Sequence, residues 1–285
     1  MSYNQRENSK QSGRPVELFL FQYGSDLSAT YGITSAPVSI EYDGITYEPA
    51  TVFREEISTS GRLDENEVGI DVSRNDTLAQ MLQGYPPSWV ISVIVRQGHM
   101  PDPAYPNPGP GAAWPVCFTG RVIERVGGEG ASVRLVCVPS VRSVQRVGLR
   151  RNYQWSCPHA LYGPLCKADK EVATTMHEII QIQDNLIELG AFPPSGRVSA
   201  NYIGGMVEWQ GPVAREFRTV ISAPASNRLR VSGPLGDLAL GDMVETVLGC
   251  AHDMLDCREV HNNILNYGGH PFIPQNNPFF KNNHD

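Results

Sequence analysis

Four cysteines in the C-terminal half of the sequence are the residues whose type and spacing best suit a chemical role. They form two close pairs, Cys157 with Cys166 and Cys250 with Cys257, separated by about eighty residues without a cysteine. A chain made in the reducing cytosol uses clustered cysteines for metals more often than for disulfides. The pairs therefore predict one metal centre whose ligands come from both ends of an inserted segment.

The spacing within the pairs bears on which metal is bound. Zinc sites usually take cysteines two to four residues apart, whereas the gaps here are eight and six residues. An iron–sulfur cubane presents a separate iron to each thiolate and so tolerates wider spacing. Zinc stays an alternative because histidines 159, 252, 261 and 270 lie near the cysteines in sequence. Four reduced cysteines in a metal-free core are the other alternative.

The second pair also constrains the local fold. Cys250 and Cys257 are seven residues apart, which on one helix would separate them by about 10 Å along the axis. That distance is too long for one small centre. We therefore expect Cys250 to lie in a turn at Gly249, with a helix beginning after it.

Enzyme signatures are missing from the sequence. It has no Gly-x-Ser-x-Gly, no His-Glu-x-x-His, no phosphate loop and no flavin or nicotinamide motif. Cys157 and His159 are neighbours, but a neighbouring pair alone defines no catalytic triad. We expect no enzyme, and we expect the metal centre to stabilise the fold rather than carry electrons.

Composition limits the partners and the compartment. The net charge of -7 argues against specific nucleic-acid binding. No apolar run reaches the roughly 18 residues of a membrane span, and the polar residues 1–14 contain no secretory signal. The arginines at 142, 146, 150 and 151 are interpreted as a solvated or inter-subunit face rather than a phosphate site.

The patterning predicts a mainly β protein, in keeping with its 27 Gly and 22 Pro. We divide the chain into a flexible arm (1–14), a strand-rich N-terminal domain (15–150) and a C-terminal cysteine-rich metal-cluster domain (151–285). An inserted small β-barrel or sandwich covers about 171–248. Strands are predicted at 16–23, 38–42, 45–47, 67–73, 89–96, 116–126, 131–138, 172–182, 186–189, 198–209, 216–221, 228–231 and 242–248, although 171–180 could also be helical. Asp43-Gly44 predicts a two-residue hairpin turn, Asp76 caps a helix over 77–83, and the proline-rich residues 99–115 form a long loop.

The remaining cysteines, Cys117 and Cys137, lie on the two strands of one predicted hairpin. If Val126 pairs with Ala131, Cys117 falls opposite Ser140 and points to the other face from Cys137. Free cysteines are often simply buried. We expect neither of them to be a metal ligand.

Ordered motifs around both cysteine pairs resemble a family of phage tail proteins, the domain of unknown function 2163 with its BR0599 C-terminal region. The first motif is Tyr153-x3-Cys157-x-His159-x-Leu161-Tyr162-Gly163-x2-Cys166. The second is Gly249-Cys250-x6-Cys257-x5-Asn263-x2-Asn266-Tyr267-Gly268-Gly269-x-Pro271-Phe272-Ile273-Pro274. Two departures from the family pattern, Pro158 and Val260-His261-Asn262, replace none of the four cysteines. The N-terminal half is similar in its strand layout and in Leu149-Arg150-Arg151-Asn152-Tyr153, but more weakly.

The resemblance implies a baseplate hub or tail tip protein of long-tailed phages and gene transfer agents, related to lambda-type tail tip proteins. It implies an iron–sulfur cluster, of the 4Fe–4S type, held by Cys157, Cys166, Cys250 and Cys257. The N-terminal domain would then be a hub domain, and three copies would surround the tail axis. The expected partners are a distal tail or tube protein and a central fibre or tip protein. The protein would be made in the host cytoplasm and reside in the virion. A zinc-stabilised tail protein is the alternative, and a cell-wall-degrading or redox enzyme of the tail tip is a weaker one.

Overall fold

The chain divides into two compact units, Met1–Arg146 and Val147–Asp285. The computed structural model describes residues 7–8, 13–24, 29–57, 67–83, 88–100, 114–127, 130–141, 152–211, 215–236 and 238–273. Most of the predicted 1–14 arm, most of the 99–115 loop and the four mid-chain arginines lie outside these residues and stay predictions. The mainly β class is confirmed. No helix among the described residues is long and apolar enough to cross a membrane.

The N-terminal unit is built on a nine-stranded sheet with the order β3-β4-β2-β1-β7-β8-β9-β6-β5. Neighbouring strands are antiparallel except β2 and β4. One short helix, α1, follows β6 and begins at Asp76, whose side chain accepts a hydrogen bond from the backbone of Leu78, as predicted. The elements are β1 Pro15–Tyr23, β2 Thr30–Thr34, β3 Ile40–Tyr42, β4 Ile45–Pro49, β5 Val52–Arg54, β6 Val68–Ser73, α1 Thr77–Met81, β7 Ile91–His99, β8 Val116–Gly127 and β9 Ser132–Pro139.

The centre of this sheet is the pairing of β1 with β7 over nine residues. Strand β1 buries Leu18, Phe19 and Phe21, and β7 buries Val93 and Val95, all nearly without exposure. Aromatic and β-branched side chains suit such a pleated, buried surface. Burial of these side chains therefore stabilises the middle of the sheet.

The predicted hairpin turn at Asp43-Gly44 is confirmed. Tyr42 pairs with Ile45, so the loop has two residues. Both have the positive φ values, 55° and 74°, that a two-residue hairpin turn requires.

The two ends of the sheet approach each other. Strands β4 and β5 lie near opposite ends of the strand order, yet only residues 50–51 connect them. Consistent with this curvature, Arg54 of β5 forms an ion pair with Glu17 of β1.

The predicted register of the β8–β9 hairpin is wrong. Val126 pairs with Arg134 rather than with Ala131, and the register shifts between Val122 and Glu124. A bulge adds a residue to one strand without leaving a clear mark in the apolar pattern. Alternation alone therefore could not fix the pairing.

Both cysteines of this hairpin contact backbone carbonyl groups of the sheet. Cys137 pairs with Val122 and is fully buried, and burial raises the pKa of its thiol to about 12. Cys117, on the other face of its strand, donates to the carbonyl of Val95 at 3.3 Å. Burial also raises the pKa of Cys117.

The C-terminal unit contains a closed barrel of six strands in the order β10-β11-β14-β13-β12-β15. The predicted small barrel is confirmed. Residues 174–183 are a strand, so the helical alternative for that segment is wrong. The predicted strand 198–209 is wrong in its first half, where a 3-10 helix, Ser199–Tyr202, precedes the strand. The strands are β10 Thr174–Gln183, β11 Leu186–Leu189, β12 Met206–Gln210, β13 Arg215–Ala225, β14 Arg228–Val231 and β15 Met243–Val247.

The barrel is filled by apolar side chains from every strand, among them Ile187, Val207, Leu229 and Val244, which have no exposure. Two residues from outside the barrel, Tyr162 and Val260, pack against this core. The segments that carry the cysteines are therefore attached to the barrel by hydrophobic contact.

A buried carboxylate provides a second attachment. Glu208 of β12 is almost fully buried and pairs with Lys170 at 2.6 Å and with Arg215 at 2.8 Å. Arg215 also contacts Glu245, which lies opposite Glu208 on the neighbouring strand. Two like charges at facing positions repel each other, so the cations are needed to hold the two carboxylates there.

His177 of β10 is a buried neutral histidine. Its Nδ1 donates to the carbonyl of Gly190 at 3.2 Å, and its Nε2 accepts from the Thr175 hydroxyl at 3.0 Å. The ring also contacts the Phe192 ring edge-on. Burial lowers the pKa of His177 because the charged form is poorly solvated there.

We expect this histidine to make the barrel less stable in mild acid. The unfolded chain takes up a proton near the ordinary histidine pKa of about 6.5, whereas folded His177 takes it up only at lower pH. The contribution of His177 to the unfolding free energy is therefore complete above about pH 6.5. Below that pH the unfolding free energy decreases, by at most about 1.4 kcal/mol per pH unit. Urea unfolding between pH 7.5 and 5.5, compared with the His177→Gln variant, measures the difference. Equal pH slopes in the two proteins would contradict it.

Candidate metal centre

Closure of the barrel brings the two cysteine-bearing segments together. The first strand, β10, pairs with the last, β15, with Thr174 opposite Val247. The Leu248 backbone N–H also donates to the carbonyl of Ala173 at 3.1 Å. The chain therefore enters and leaves the barrel at one place, with Cys166 just before the entry and Cys250 just after the exit.

Glycines at the exit allow two backbone segments to touch. The Gly249 N–H donates to the carbonyl of Asn201 at 2.8 Å. A Cβ on Gly249 would lie 1.9 Å from the Ile203 carbonyl oxygen, and one on Gly205 would lie 2.1 Å from that of Val247. No side chain fits at either position. Both glycines are therefore required because two backbone segments approach each other closely there, and not because the chain needs flexibility.

The predicted helix after Cys250 is confirmed, but the structure has no turn at Gly249, and the chain bends at residues 252–253 instead. Cys250 precedes helix α2, Met254–Glu259, and Cys257 lies within it. The Asp253 side chain caps the helix by accepting from the Asp256 N–H at 2.8 Å. In turn the Asp256 side chain accepts from the Ala251 N–H at 2.8 Å. These two bonds hold the bend at residues 252–253 and keep Cys250 near the start of the helix.

His252 joins the second segment to the first. Its carbonyl accepts from the Cys157 N–H at 2.8 Å, and its Nδ1 donates to the Cys157 carbonyl at 3.0 Å. The backbone of His252 has a positive φ of 61°, which is uncommon for a non-glycine residue. This conformation lets one residue bind both backbone groups of Cys157.

All four predicted cysteines line one pocket of the C-terminal unit. Three histidines line it with them, and so do two asparagines: His159, His252, His261, Asn263 and Asn266. Within the described part of the chain, no three His, Cys, Asp or Glu side chains are arranged to bind a single metal ion. The thiols therefore surround a space without converging on one point.

Two of these thiols are held in their neutral form by burial. Burial raises the pKa of Cys257 to about 11 and also raises that of Cys250. A metal binds the thiolate, so its positive charge has to overcome this preference.

Three of the four sulfur atoms face N–H donors. The backbone of Gly268 donates to Cys157 Sγ at 3.4 Å and that of His252 to Cys250 Sγ at 3.3 Å. The Asn263 side-chain amide lies 3.7 Å from Cys166 Sγ. Hydrogen bonds to sulfur favour its negatively charged form. Donors from three different residues are thus directed at sulfur atoms of the pocket.

The histidines around the pocket brace the backbone. His159 Nδ1 donates to the Asn266 carbonyl at 3.2 Å, and His261 Nε2 donates to the Gly249 carbonyl at 2.8 Å. His270 instead stacks on Tyr153, with ring centroids 4.1 Å apart. Sequence reasoning kept zinc open because of these histidines and missed their structural use. The buried Nε2 of His159 has no hydrogen-bond partner.

The segment after α2 wraps around the first cysteine motif. His270 N–H donates to the Gln154 carbonyl at 2.9 Å, and Trp155 Nε1 donates to the Pro271 carbonyl at 2.7 Å. A Cβ on Gly268 would meet the His159 ring at 2.4 Å. The glycines of this tail therefore allow a tight, irregular wrap.

Large apolar side chains are exposed around this wrap. Leu265 and Phe272 are 97% and 92% exposed, and Leu255 is also exposed. Scattered exposure is common on protein surfaces.

A family model described as "Phage conserved hypothetical protein BR0599" matches residues 200–277. The predicted resemblance to the BR0599 family is confirmed. The matched region contains Cys250 and Cys257 and the wrapping tail, and it begins inside the barrel. The BR0599 region thus includes the second cysteine pair and the segments on either side of it.

The fold is also similar to a solved structure over nearly its whole length. A chain of the structure titled "Virion of native gene transfer agent (GTA) particle" aligns with a TM-score of 0.77 and 19% identity. The alignment covers 96% of this chain and 93% of that one. No curated protein sequence matches significantly.

The contact between Gly249 and the Ile203 carbonyl can be tested by adding one methyl group at position 249. Gly249→Ala places a Cβ inside the contact distance of the Ile203 carbonyl oxygen, and we expect a loss of roughly 3 kcal/mol or more in unfolding free energy. Gly236→Ala is the matched control, because a Cβ there meets nothing within 4 Å. Chemical unfolding of both variants measures the difference. Similar stabilities would refute the backbone contact.

Proposed function

We propose that this protein is a structural component of a virion, in the baseplate hub or tail tip of a long-tailed phage or gene transfer agent. There it joins the tail tube to the tip. The observation that carries the proposal is the fold likeness, over 96% of the chain, to a chain of a gene transfer agent particle. The BR0599 match at residues 200–277 adds independent support from sequence.

The proposed partners are the distal tail or tube protein on one side and a central fibre or tip protein on the other. Three copies of the chain surround the tail axis, an arrangement implied by the family resemblance. A closed ring of this kind repeats one heterologous interface around the axis. The protein acts as an assembly part and not as an enzyme, consistent with the missing catalytic motifs.

The assembled particle tests this role. We expect a cryo-electron microscopy reconstruction of the tail end to contain three copies of this chain between the tube and the tip. Six copies on the tube wall, or a single copy at the tip, would reject the threefold hub. Absence of the chain from purified particles would reject the virion role itself.

We further propose that Cys157, Cys166, Cys250 and Cys257 hold a 4Fe–4S cluster that staples the C-terminal unit. The four thiols line one pocket, and N–H groups face three of their sulfur atoms. A single zinc ion would require the four sulfurs to meet at about 2.3 Å from one point, usually with paired cysteines two to four residues apart, whereas the gaps here are eight and six residues. A cubane, with an iron for each thiolate, suits ligands spread around a space.

The cluster would supply folding free energy, because binding four thiolates ties residues 157–166 to residues 250–257. These residues hold and orient the group, while the wrap by residues 263–273 covers it. Its role here is structural.

Metal analysis tests the cluster. Protein purified without oxygen is expected to be brown, with iron and acid-labile sulfide each near four per chain, as this cluster type requires. Stoichiometric zinc without sulfide would overturn the assignment in favour of the zinc alternative.

Cysteine variants test the ligands. Replacing any one of the four by Ser should lower the iron content and the unfolding free energy of the C-terminal unit. Cys117→Ser and Cys137→Ser are the matched controls, since both thiols bond within the N-terminal sheet, and both should keep the full cluster. Loss of iron in either control would contradict the ligand set.

A further inference from the structure

Asn263 contacts one cysteine of each pair. Its side-chain Nδ2 donates to the Cys166 carbonyl at 2.6 Å and lies 3.7 Å from Cys166 Sγ. Its own carbonyl accepts from Cys257 Sγ at 3.2 Å, and its N–H donates to the Cys257 carbonyl at 2.7 Å. The residue is buried. One asparagine therefore bridges the entry and exit segments beside the sulfur atoms.

The orientation of this amide is fixed by a neighbour. Asn266 Nδ2 donates to Asn263 Oδ1 at 2.6 Å. Since Oδ1 is the acceptor in that bond, the NH₂ group of Asn263 must face Cys166. The Cys166 backbone carbonyl can only accept, which agrees with this orientation. The backbone carbonyl of Asn266 accepts from His159 Nδ1, and this bond holds the main chain of Asn266.

We propose that Asn263 is a positioning residue of the cluster, holding Cys166 relative to Cys257 and tuning the reduction potential through its side-chain N–H donor. The S–H bond from Cys257 is lost when that thiol binds as a thiolate, so the bridge to Cys257 is the backbone bond from the Asn263 N–H to the Cys257 carbonyl. This inference rests on the proposed iron–sulfur cluster. An N–H directed at a ligand sulfur stabilises the more negative, reduced cluster and so raises its potential. The donors on Cys157 and Cys250 are backbone groups. Asn263 is thus the side-chain donor, within the described residues, that substitution can remove.

Three variants at this bridge separate its two effects. Asn263→Asp keeps the size of the side chain but removes its N–H donor and adds a negative charge. Asn263→Ala removes both the donor and most of the side chain. Asn266→Ala leaves Asn263 intact and removes only the bond that orients its amide. Asn185→Asp is the matched control, because Asn185 also donates its amide to a backbone carbonyl, that of Val231, away from the pocket. Iron and sulfide content, midpoint potential and urea unfolding are measured for each without oxygen.

We expect a lower potential in Asn263→Asp than in wild type, a smaller decrease in Asn263→Ala and Asn266→Ala, and the wild-type value in Asn185→Asp. Iron loss in the Asn263 variants, with the barrel still folded, would support the bridging role. In that case the effect on the midpoint potential is measured in Asn266→Ala, which keeps Asn263. Full iron and an unchanged potential in all three variants would overturn the inference. A wild-type protein without iron and sulfide would overturn the proposed cluster itself, so the two failures are distinguishable.

Discussion

The pairing of β10 with β15 is the constraint on which the C-terminal unit depends. About eighty residues separate the two cysteine pairs in sequence, and a flexible loop of that length would bring its ends together only at an entropic cost. A closed barrel removes this problem, because its first and last strands must be neighbours. Hydrophobic burial inside the barrel therefore sets the distance between the cysteine pairs before any metal binds. The pocket is a consequence of barrel closure.

The sequence predicted those features that depend only on interactions between residues close together in the chain. Asp43-Gly44 could be recognised because few residue types accept its two positive φ values, and Asp76 because it caps its own helix. The start of a helix only after Cys250 followed from helix geometry alone. The four cysteines were found by their pairing, and the structure brings them to one pocket. What they hold there is our proposal.

Features that depend on distant residues could not be predicted. The bulge after Val122 shifts the β8–β9 register without changing the alternation of side chains. Residues 199–202 look like a strand, but the glycines at 204 and 205 must meet the chain exit, and a 3-10 helix delivers them there. The roles of His252 and Asn263 depend on carbonyl groups of Cys157 and Cys166, about a hundred residues earlier in the chain. No single segment carries that information.

The ion pair between Lys170 and Glu208 bears on how the C-terminal unit responds to salt. Dissolved ions weaken charge interactions chiefly where both partners are in water. The carboxylate of Glu208 is 4% exposed, so counter-ions have little access to it. An exposed pair such as Arg258–Glu259 has no such protection. The tie between the barrel and the segment leading from Cys166 is therefore suited to persist in dilute and in salty media alike.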